Sequence, residues 1–132
     1  PRRAMGHLLG NAVRIAPADQ TLVLGEGIET MLSVREAAPS LPVWAALSSG
    51  HLGAVLLPDG LQRLYIAIDR DPAGQRAAER LTARATEAGI AVRVLEPRLG
   101  DFNDDLRAHG AEALRQHLAQ QIDLKDQHRL TI

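Results

Sequence analysis

Five acidic side chains stand where they could share a cation. Glu26 lies between two glycines after a short apolar run, Asp69 and Asp71 follow a second apolar run, and Asp101 and Asp104 lie in a later polar segment. Carboxylates two positions apart on an extended chain point to the same face and repel each other unless a cation or a proton lies between them. Mg²⁺ is a hard cation that prefers oxygen ligands. We therefore predict one magnesium site that these acids build together.

Each acidic segment also has a simpler interpretation. An Asp-x-Asp pair is often a turn, and Asp71 is well placed to cap a helix that starts near Ala73. The acids from Asp101 to Asp105 could likewise form a polar loop with a helix cap. The metal site is favoured because three acidic segments are predicted at the same edge of one sheet.

Features that suit phosphate lie beside the acids. Gly27 lets a ligand approach the backbone, and Gly74 lies in the first turn of the predicted helix, whose N-terminus carries positive partial charge. Arg76 shares a helix face with Arg80 and Arg84, so this stripe could contact phosphate or simply be a solvated face. Gly27, Gly74 and Arg76 are our candidate phosphate or nucleic-acid contacts. Ser48 and Ser49 lack a nucleophile motif and predict a backbone turn.

Composition limits the class of protein. The chain has 132 residues, of which 45% are hydrophobic and 2% aromatic, so one domain with an aliphatic core is expected. The net charge of −1 gives no basic footprint of a domain that holds DNA by itself. Without cysteine the chain has no disulfide or thiolate zinc site, and a cytoplasmic location is expected. No apolar run is long enough to span a membrane, and the initial Pro1 suggests a fragment of a larger enzyme.

The order of predicted elements indicates an α/β fold with a mainly parallel, four-stranded sheet. In such sheets ligands bind at the carboxyl ends of the strands, where the acids fall. We expect a lead-in segment over 1–20, whose arginines are either a solvated arm or a backbone contact to nucleic acid. A catalytic domain over 21–122 and a polar, fraying tail over 123–132 follow. The predicted strands are Thr21–Leu24, Val43–Leu47, Leu64–Ile68 and Ala91–Leu95, with a possible edge strand at Val13–Ile15, and the predicted helices are Ile28–Ala38, Ala73–Ala88 and a stretch from Asp105 or Leu106 to Ile122 interrupted at Gly110.

The acidic segments in this order resemble the Toprim domain, which bacterial-type DNA primases, topoisomerases and some nucleases share. The matching features are Glu26-Gly27 after one strand, Asp69-Arg-Asp71 after a later strand, and the acidic loop Asp101-Phe-Asn-Asp104. The sequence Gly25-Glu-Gly-Ile-Glu-Thr30 is especially similar to Toprim domains of phage-type and plasmid-type primase-like proteins.

The resemblance implies a three-layer α/β/α, Rossmann-like fold and a Mg²⁺-dependent nucleotidyl or phosphoryl transfer, with Mn²⁺ as a possible substitute. It implies catalytic roles for Glu26, Asp69 and Asp71, with Asp101 and Asp104 as further metal ligands. The expected partners are a DNA template and nucleotides, with help from other domains or a helicase, and no membrane.

Two positions depart from the primase pattern, and two other functions stay open. Thr30 stands where many primases carry an aspartate, and Arg70 stands where bacterial primases often have glycine. The alternative functions are strand cleavage of the nuclease or topoisomerase kind, and a non-catalytic docking module in replication. A topoisomerase needs a tyrosine nucleophile, and the single tyrosine, Tyr65, lies in a predicted buried strand.

Overall fold

The computed structural model of the protein describes residues 12–131, which form a five-stranded sheet between two layers of helices. The predicted lead-in arginines Arg2 and Arg3 lie outside the described residues. The strands are β1 (Val13–Arg14), β2 (Thr21–Gly25), β3 (Val43–Ala45), β4 (Arg63–Ala67) and β5 (Ala91–Leu95). Along the sheet the strand order is β1-β3-β2-β4-β5, with β1 antiparallel to β3 and all other pairs parallel.

The predicted α/β fold class is confirmed, and the number of strands is corrected from four to five. The additional strand is the edge strand β1, which pairs Val13 with Ala45 and Arg14 with Trp44. It lies within the possible edge strand Val13–Ile15 of the sequence analysis and is one residue shorter. Arg14 places its guanidinium 4.7 Å from the centre of the Trp44 ring, where a cation is attracted by the ring face.

Helices cover both faces of the sheet because its central strands are apolar on both sides. The helices are α1 (Ile28–Ala37), α2 (Ser49–Ala54), α3 (Pro72–Glu87), α4 (Phe102–His109) and α5 (Ala111–Ala119). One face packs against α1, α4 and α5 around Val23, Tyr65 and Phe102, and the other packs against α2 and α3 around Leu24, Ile66 and Leu81. Few aromatic side chains are present, so the two cores consist mainly of aliphatic residues.

The predicted start of the last helical stretch is wrong by one turn. Helix α4 starts at Phe102 rather than at Asp105 or Leu106, because the Asp101 side chain accepts a hydrogen bond from the Asp104 N–H at 2.7 Å and caps the helix. The predicted interruption is present: Gly110 has φ of 87° and separates α4 from α5.

The C-terminal segment does not fray as expected. It forms a 3₁₀ helix, Leu124–Leu130, in which Asp126 is buried. The carboxylate of Asp126 accepts hydrogen bonds from Thr21 Oγ1 at 2.9 Å, Arg63 Nε at 2.7 Å and the Tyr65 hydroxyl at 2.6 Å. These bonds tie the segment to the sheet, so its polar composition serves a buried network and not a solvated tail.

Within residues 12–131, none of the helices combines the length and the apolar character that crossing a membrane requires.

Candidate metal centre at the carboxyl edge of the sheet

The register of the sheet brings the acidic segments to one edge. In the parallel strands β2, β4 and β5, Gly25 is paired with Ala67, and Ala67 with Leu95. The chain therefore leaves all three strands at the same level. Glu26 follows β2 directly, and Asp69 comes two residues after β4. This is the edge at which open α/β sheets bind ligands.

Three of the predicted acids converge at this edge. Glu26, Asp69 and Asp71 each offer a carboxylate oxygen, and these oxygens lie within 4.8 Å of one another. Glu26 Oε2 and Asp69 Oδ1 are buried and have no hydrogen-bond partner among the described residues. Buried carboxylate oxygens are costly unless a donor or a cation satisfies them. The donor set, all oxygen, fits Mg²⁺ or Mn²⁺.

The crowding of the acids changes the proton affinity of Asp69. Burial, together with the negative charges of Glu26, Asp101 and Asp71, raises the pKa of Asp69 to about 6, although a hydrogen bond from Thr30 acts in the opposite direction. Thr30 is buried on the first turn of α1, so its hydroxyl lies next to the acidic group. Thr30 thus contacts an acid of the site.

Gly25 makes room for the packing beneath Glu26. A Cβ atom at this position would lie 2.2 Å from Met31 Sδ and 3.1 Å from the Ala67 carbonyl oxygen. The Gly25 carbonyl also accepts a hydrogen bond from the Ala46 N–H at 2.8 Å. A side chain here would therefore push β2 away from β4 just before the acidic residue.

The main chain of Glu26 is held by a residue in an unusual conformation. Leu47, just beyond β3, has φ of 83°, and its N–H donates to the Glu26 carbonyl at 2.6 Å. A branched side chain in the left-handed region is strained, and such strain concentrates at functional sites. Sequence reasoning missed Leu47, because an apolar residue after a strand gives no signal of positive φ.

Asp71 caps a helix, as the sequence analysis suggested, and also belongs to the acidic group. It is the N-cap of α3, and its Oδ1 accepts a hydrogen bond from the Gly74 N–H at 2.6 Å. A Cβ on Gly74 would lie 3.2 Å from the Asp69 carbonyl oxygen and 3.2 Å from Asp71 Oδ1, so a glycine suits the turn. One cap bond leaves Asp71 with further lone pairs for the acidic group.

Arg70 and Asp105 hold the neighbouring loops in place, and sequence reasoning assigned neither this role. Arg70 donates from Nε and Nη2 to the Pro97 carbonyl at 3.1 and 2.5 Å, and its N–H donates to the Gly100 carbonyl at 2.8 Å. The buried Asp105 accepts the N–H groups of Arg98 and Leu99, both at 2.7 Å. These bonds fix the loop after β5 against the Asp69–Asp71 turn. The only sequence signal was the position of both residues inside acidic motifs.

The other two predicted metal ligands lie outside the group of three. The Asp101 carboxylate caps α4 and is near enough to raise the pKa of Asp69. Asp104 is exposed, and a Cβ on Gly100 would lie 2.9 Å from its Oδ2. Asp101 therefore flanks the site from the start of α4, while Asp104 is not among the acids that converge.

The predicted phosphate contacts take different positions. Gly27 is the N-cap residue of α1, and the space beside it would admit a Cβ, since the nearest atom, Thr30 Oγ1, is 3.9 Å away. The Gly74 N–H is used by Asp71, while Arg76 is exposed on α3. The expected turn at Ser48 and Ser49 is replaced by the start of a helix, because the Ser48 side chain accepts a hydrogen bond from the His51 N–H and caps α2, whose first residue is Ser49.

The environment of the single tyrosine does not suit a nucleophile. Tyr65 is 1% exposed in β4, as its position in an apolar run predicted, and its hydroxyl donates to Asp126 at 2.6 Å. Burial and the hydrogen bond to Asp126 raise the pKa of Tyr65 above its usual range. This hydroxyl is accordingly neither accessible nor easily ionised.

A cavity of about 510 Å³ lies between α3 and β5, lined by Ile68, Gln75, Val94 and Glu96 among others. None of the three converging acids lines it. The site is therefore marked by its oxygen donors and not by the volume of a pocket.

Comparison with known proteins identifies the fold family of these motifs. The family profile described as "Toprim domain" matches residues 21–112, which is more than half of the chain. A comparison with curated proteins finds no match.

Three solved structures share the fold. The primase fragment of the bacteriophage T7 primase-helicase protein is 24% identical with a TM-score of 0.61, over 76% of this chain and 43% of that one. The Aquifex aeolicus primase (zinc binding and RNA polymerase domains) is 24% identical with a TM-score of 0.54, over 80% of this chain and 27% of that one. A chain in the structure of bacteriophage T7 lagging-strand DNA polymerase interacting with primase domains is 24% identical with a TM-score of 0.56, over 74% of this chain and 53% of that one.

The chain thus spans between 27% and 53% of the length of these three solved chains. At this level of identity the likeness concerns the fold.

Proposed function

Because the chain belongs to the Toprim domain family, we propose that it is the catalytic domain of a primase-like protein. In this proposal it joins nucleotides on a DNA template in a Mg²⁺-dependent nucleotidyl transfer during replication, and Mn²⁺ can replace Mg²⁺. The observation that carries the proposal is the convergence of Glu26, Asp69 and Asp71 with two buried carboxylate oxygens that lack a partner among the described residues.

Each acid has a proposed role at the site. Asp69 and Asp71 anchor the cation, and Glu26 either ligates it or acts as a general acid or base. Asp101 and Asp104 complete the ligand set or hold its waters from the start of α4. A bound Mg²⁺ neutralises phosphate charge and stabilises the transferring group. Gly27, Gly74 and Arg76 are the proposed contacts to phosphate.

The wider assignment also rests on the relatives. The proteins of similar fold include a primase fragment of a phage primase-helicase protein and primase domains bound to an RNA/DNA hybrid and dTTP. We propose by analogy that this chain acts on nucleic acid and nucleotides together with further domains or a helicase, in a phage or plasmid system and in the cytoplasm. The division into a lead-in, a catalytic domain over 21–122 and a C-terminal segment is part of this proposal.

A metal titration tests the assignment. Isothermal titration with MnCl₂ should show one class of site in the unsubstituted chain, and the double variant Asp69→Asn/Asp71→Asn should lose it. Unchanged Mn²⁺ affinity in this variant would refute the site, and absence of any divalent binding would favour the docking-module hypothesis.

Strand cleavage by a tyrosine of this chain is disfavoured, because Tyr65 is buried and bonded to Asp126. Priming and metal-dependent cleavage are separated by incubating the chain with single-stranded template and labelled nucleotides, or with supercoiled plasmid. Primer products support the proposal, and nicked plasmid without primers supports the nuclease alternative.

A further inference from the structure

A groove lies between α2 and α3, and its α3 wall carries two arginines. Its volume is about 270 Å³, and its lining consists of Ser49, Gly50, Ala73, Arg76, Ala77 and Arg80. No acidic and no aromatic side chain lines it. The groove therefore offers charge and hydroxyl groups, but no ring on which a base could stack.

Neither arginine of the groove forms a polar side-chain contact with the residues that the structure describes. The described residues hold no ion pair or side-chain hydrogen bond of Arg76 or Arg80, and both side chains are exposed. The third arginine of this stripe differs, since Arg84 donates to the carbonyl groups of Gly53 and Val55 at 2.8 and 2.9 Å. Arg84 thus joins the two helices, while Arg76 and Arg80 keep their donors for another partner.

The acidic residue between these arginines faces the other way. Glu79 lines the cavity between α3 and β5, together with Glu96, and does not line the groove. Glu79 therefore does not line the groove beside the arginines, because it lies on the other side of the helix. The Arg80 guanidinium lies next to Gly53 of α2, since a Cβ on Gly53 would be 3.4 Å from the guanidinium carbon.

We propose that the α2–α3 groove binds the phosphate backbone of a single nucleic-acid strand and leads it toward the acids Glu26, Asp69 and Asp71. This inference rests on the proposed function, since it assigns the path of the strand at the same site. Arg76 lies about 7 Å and Arg80 about 13 Å beyond Asp71 along the axis of α3. Charges that extend this far from the acids suit successive phosphates of a strand better than the compact tail of one nucleotide.

The chemistry of the lining determines the kind of binding. Guanidinium groups contact phosphate oxygens and carry no sequence information. The strand should therefore be bound without regard to its bases, with an affinity that falls as salt rises because counterions are released.

Fluorescence anisotropy of the full chain with labelled single-stranded DNA in EDTA tests the groove without the metal. We expect Arg76→Gln/Arg80→Gln to raise Kd about tenfold and to reduce the slope of log K against log salt by about 1.4. The matched control is Arg107→Gln, an exposed arginine of α4 on the opposite face of the sheet. This variant loses charge without touching the groove and should bind like the unsubstituted chain.

The possible outcomes separate this proposal from the proposed function. Loss of DNA affinity with unchanged Mn²⁺ binding supports the groove, and equal affinity for oligo-dT and a mixed sequence supports backbone contact. The groove proposal is overturned if the groove variant and Arg107→Gln lose DNA affinity equally, or if the unsubstituted chain does not bind DNA. Either result counts against the groove even if Mn²⁺ binds. Weaker binding of a nucleoside triphosphate but not of DNA would assign the arginines to nucleotide and also overturn it.

Discussion

The acidic group is costly to fold unless a cation is present. Glu26 and Asp69 each keep a buried oxygen without a partner among the described residues, and Asp71 adds a third negative charge within reach. Like charges at this separation destabilise one another, and burial removes the water that would screen them. At neutral pH the repulsion among these acids lowers the free energy of unfolding of the metal-free protein, and a bound divalent cation would relieve it.

The first prediction concerns Asp69 in the metal-free protein. Burial and the neighbouring acids raise its pKa to about 6, above the usual value for aspartate, so its contribution to stability is complete below about pH 4 and is lost as pH rises through about 6. In EDTA at pH 7, Asp69→Asn should raise the free energy of unfolding by about 1 kcal/mol, less than for a fully buried group because solvent screens the half-buried carboxylate. Urea unfolding from pH 4 to pH 7 measures the difference.

The control for this experiment is Asp104→Asn, which removes an exposed acid outside the group of three. It should change stability little over the same pH range. A gain in stability that is the same for both variants would assign the effect to net charge and contradict the raised pKa of Asp69.

The second prediction compares the two glycines that flank Glu26. Gly25→Ala should destabilise the fold by about 1–3 kcal/mol, because the new methyl group overlaps Met31 and presses on the Ala67 carbonyl. Gly27→Ala is the matched control, since its nearest neighbour is 3.9 Å away and its φ of −96° suits any residue. Thermal unfolding measures stability. If both variants unfold alike, Gly25 is not required by packing.

At the level of residues, the sequence predicted the acids that converge but not the groups that hold them. Glu26, Asp69 and Asp71 could be found because glycines and apolar runs mark strand ends. Leu47 donates its main-chain N–H to the Glu26 carbonyl, and the Arg70 side chain donates to the Pro97 carbonyl. Both acceptors are distant from their donors in sequence. Such partners depend on the register of strands and the path of loops, which no local pattern contains.

Among the elements, the loop between β5 and α4 depends most on tertiary contacts. The Arg70 guanidinium reaches the Pro97 carbonyl, and Asp105 accepts two N–H groups of the same loop. The sequence showed a run of acids here but not which of them caps the helix. Asp101 became the cap because Phe102 is buried in the core, which fixes the first turn of α4.

The third prediction tests this loop. Arg70→Lys keeps the charge but cannot donate two parallel hydrogen bonds to Pro97, so the Asp69–Asp71 turn should loosen and Mn²⁺ affinity should fall about tenfold. Arg98→Lys is the control, because Arg98 is exposed in the same loop and uses only its main-chain N–H. Titration calorimetry compares the two. Equal Mn²⁺ affinities would show that the loop does not position the acids.

The C-terminal 3₁₀ helix is attached through the buried carboxylate of Asp126. Burial by itself raises the pKa of this group, but hydrogen bonds from Arg63, Tyr65 and Thr21 outweigh burial and hold the pKa well below its usual range. Sequence patterns predicted a solvated tail because the segment is polar. They could not show that its aspartate meets an arginine and a tyrosine of β4 at the edge opposite the acidic site.

The fourth prediction concerns this network. Asp126→Asn should destabilise the protein by about 3 kcal/mol at pH 7, because it leaves buried donors facing an amide. A depressed pKa contributes stability above the unfolded pKa of about 4, which is lost as pH falls below it. The variant should therefore show a flatter loss of stability in acid. Arg93→Gln, which breaks the exposed pair with Asp123, is the control and should cost little.

For the whole molecule, the alternation of strands and helices was enough to predict a layered α/β fold, since each parallel crossover needs a helix on one face. The order β1-β3-β2-β4-β5 was not predicted, because strand neighbours depend on which apolar faces meet. The central strands β2 and β4 are adjacent although β3 separates them in sequence. That adjacency is what places Glu26 beside Asp69 and Asp71, so the site is a consequence of topology.

The last prediction joins the site to the stability of the fold. If the acids destabilise the metal-free protein, a bound divalent cation should stabilise the whole domain through linkage. At a free Mn²⁺ concentration 100-fold above Kd, stabilisation should reach about 2.7 kcal/mol, which raises Tm by about 8 °C for a domain of this size.

Differential scanning calorimetry at pH 7.5 measures this shift, with Ca²⁺ and NaCl of equal ionic strength as controls. Glu26→Gln/Asp69→Asn/Asp71→Asn should start from a higher Tm in EDTA and should not respond to Mn²⁺, whereas Arg76→Gln/Arg80→Gln should respond fully. A rise in Tm that persists in the triple variant would place the cation elsewhere. The two variants together distinguish a cation held by the carboxyl edge of the sheet from a general effect of salt on a charged surface.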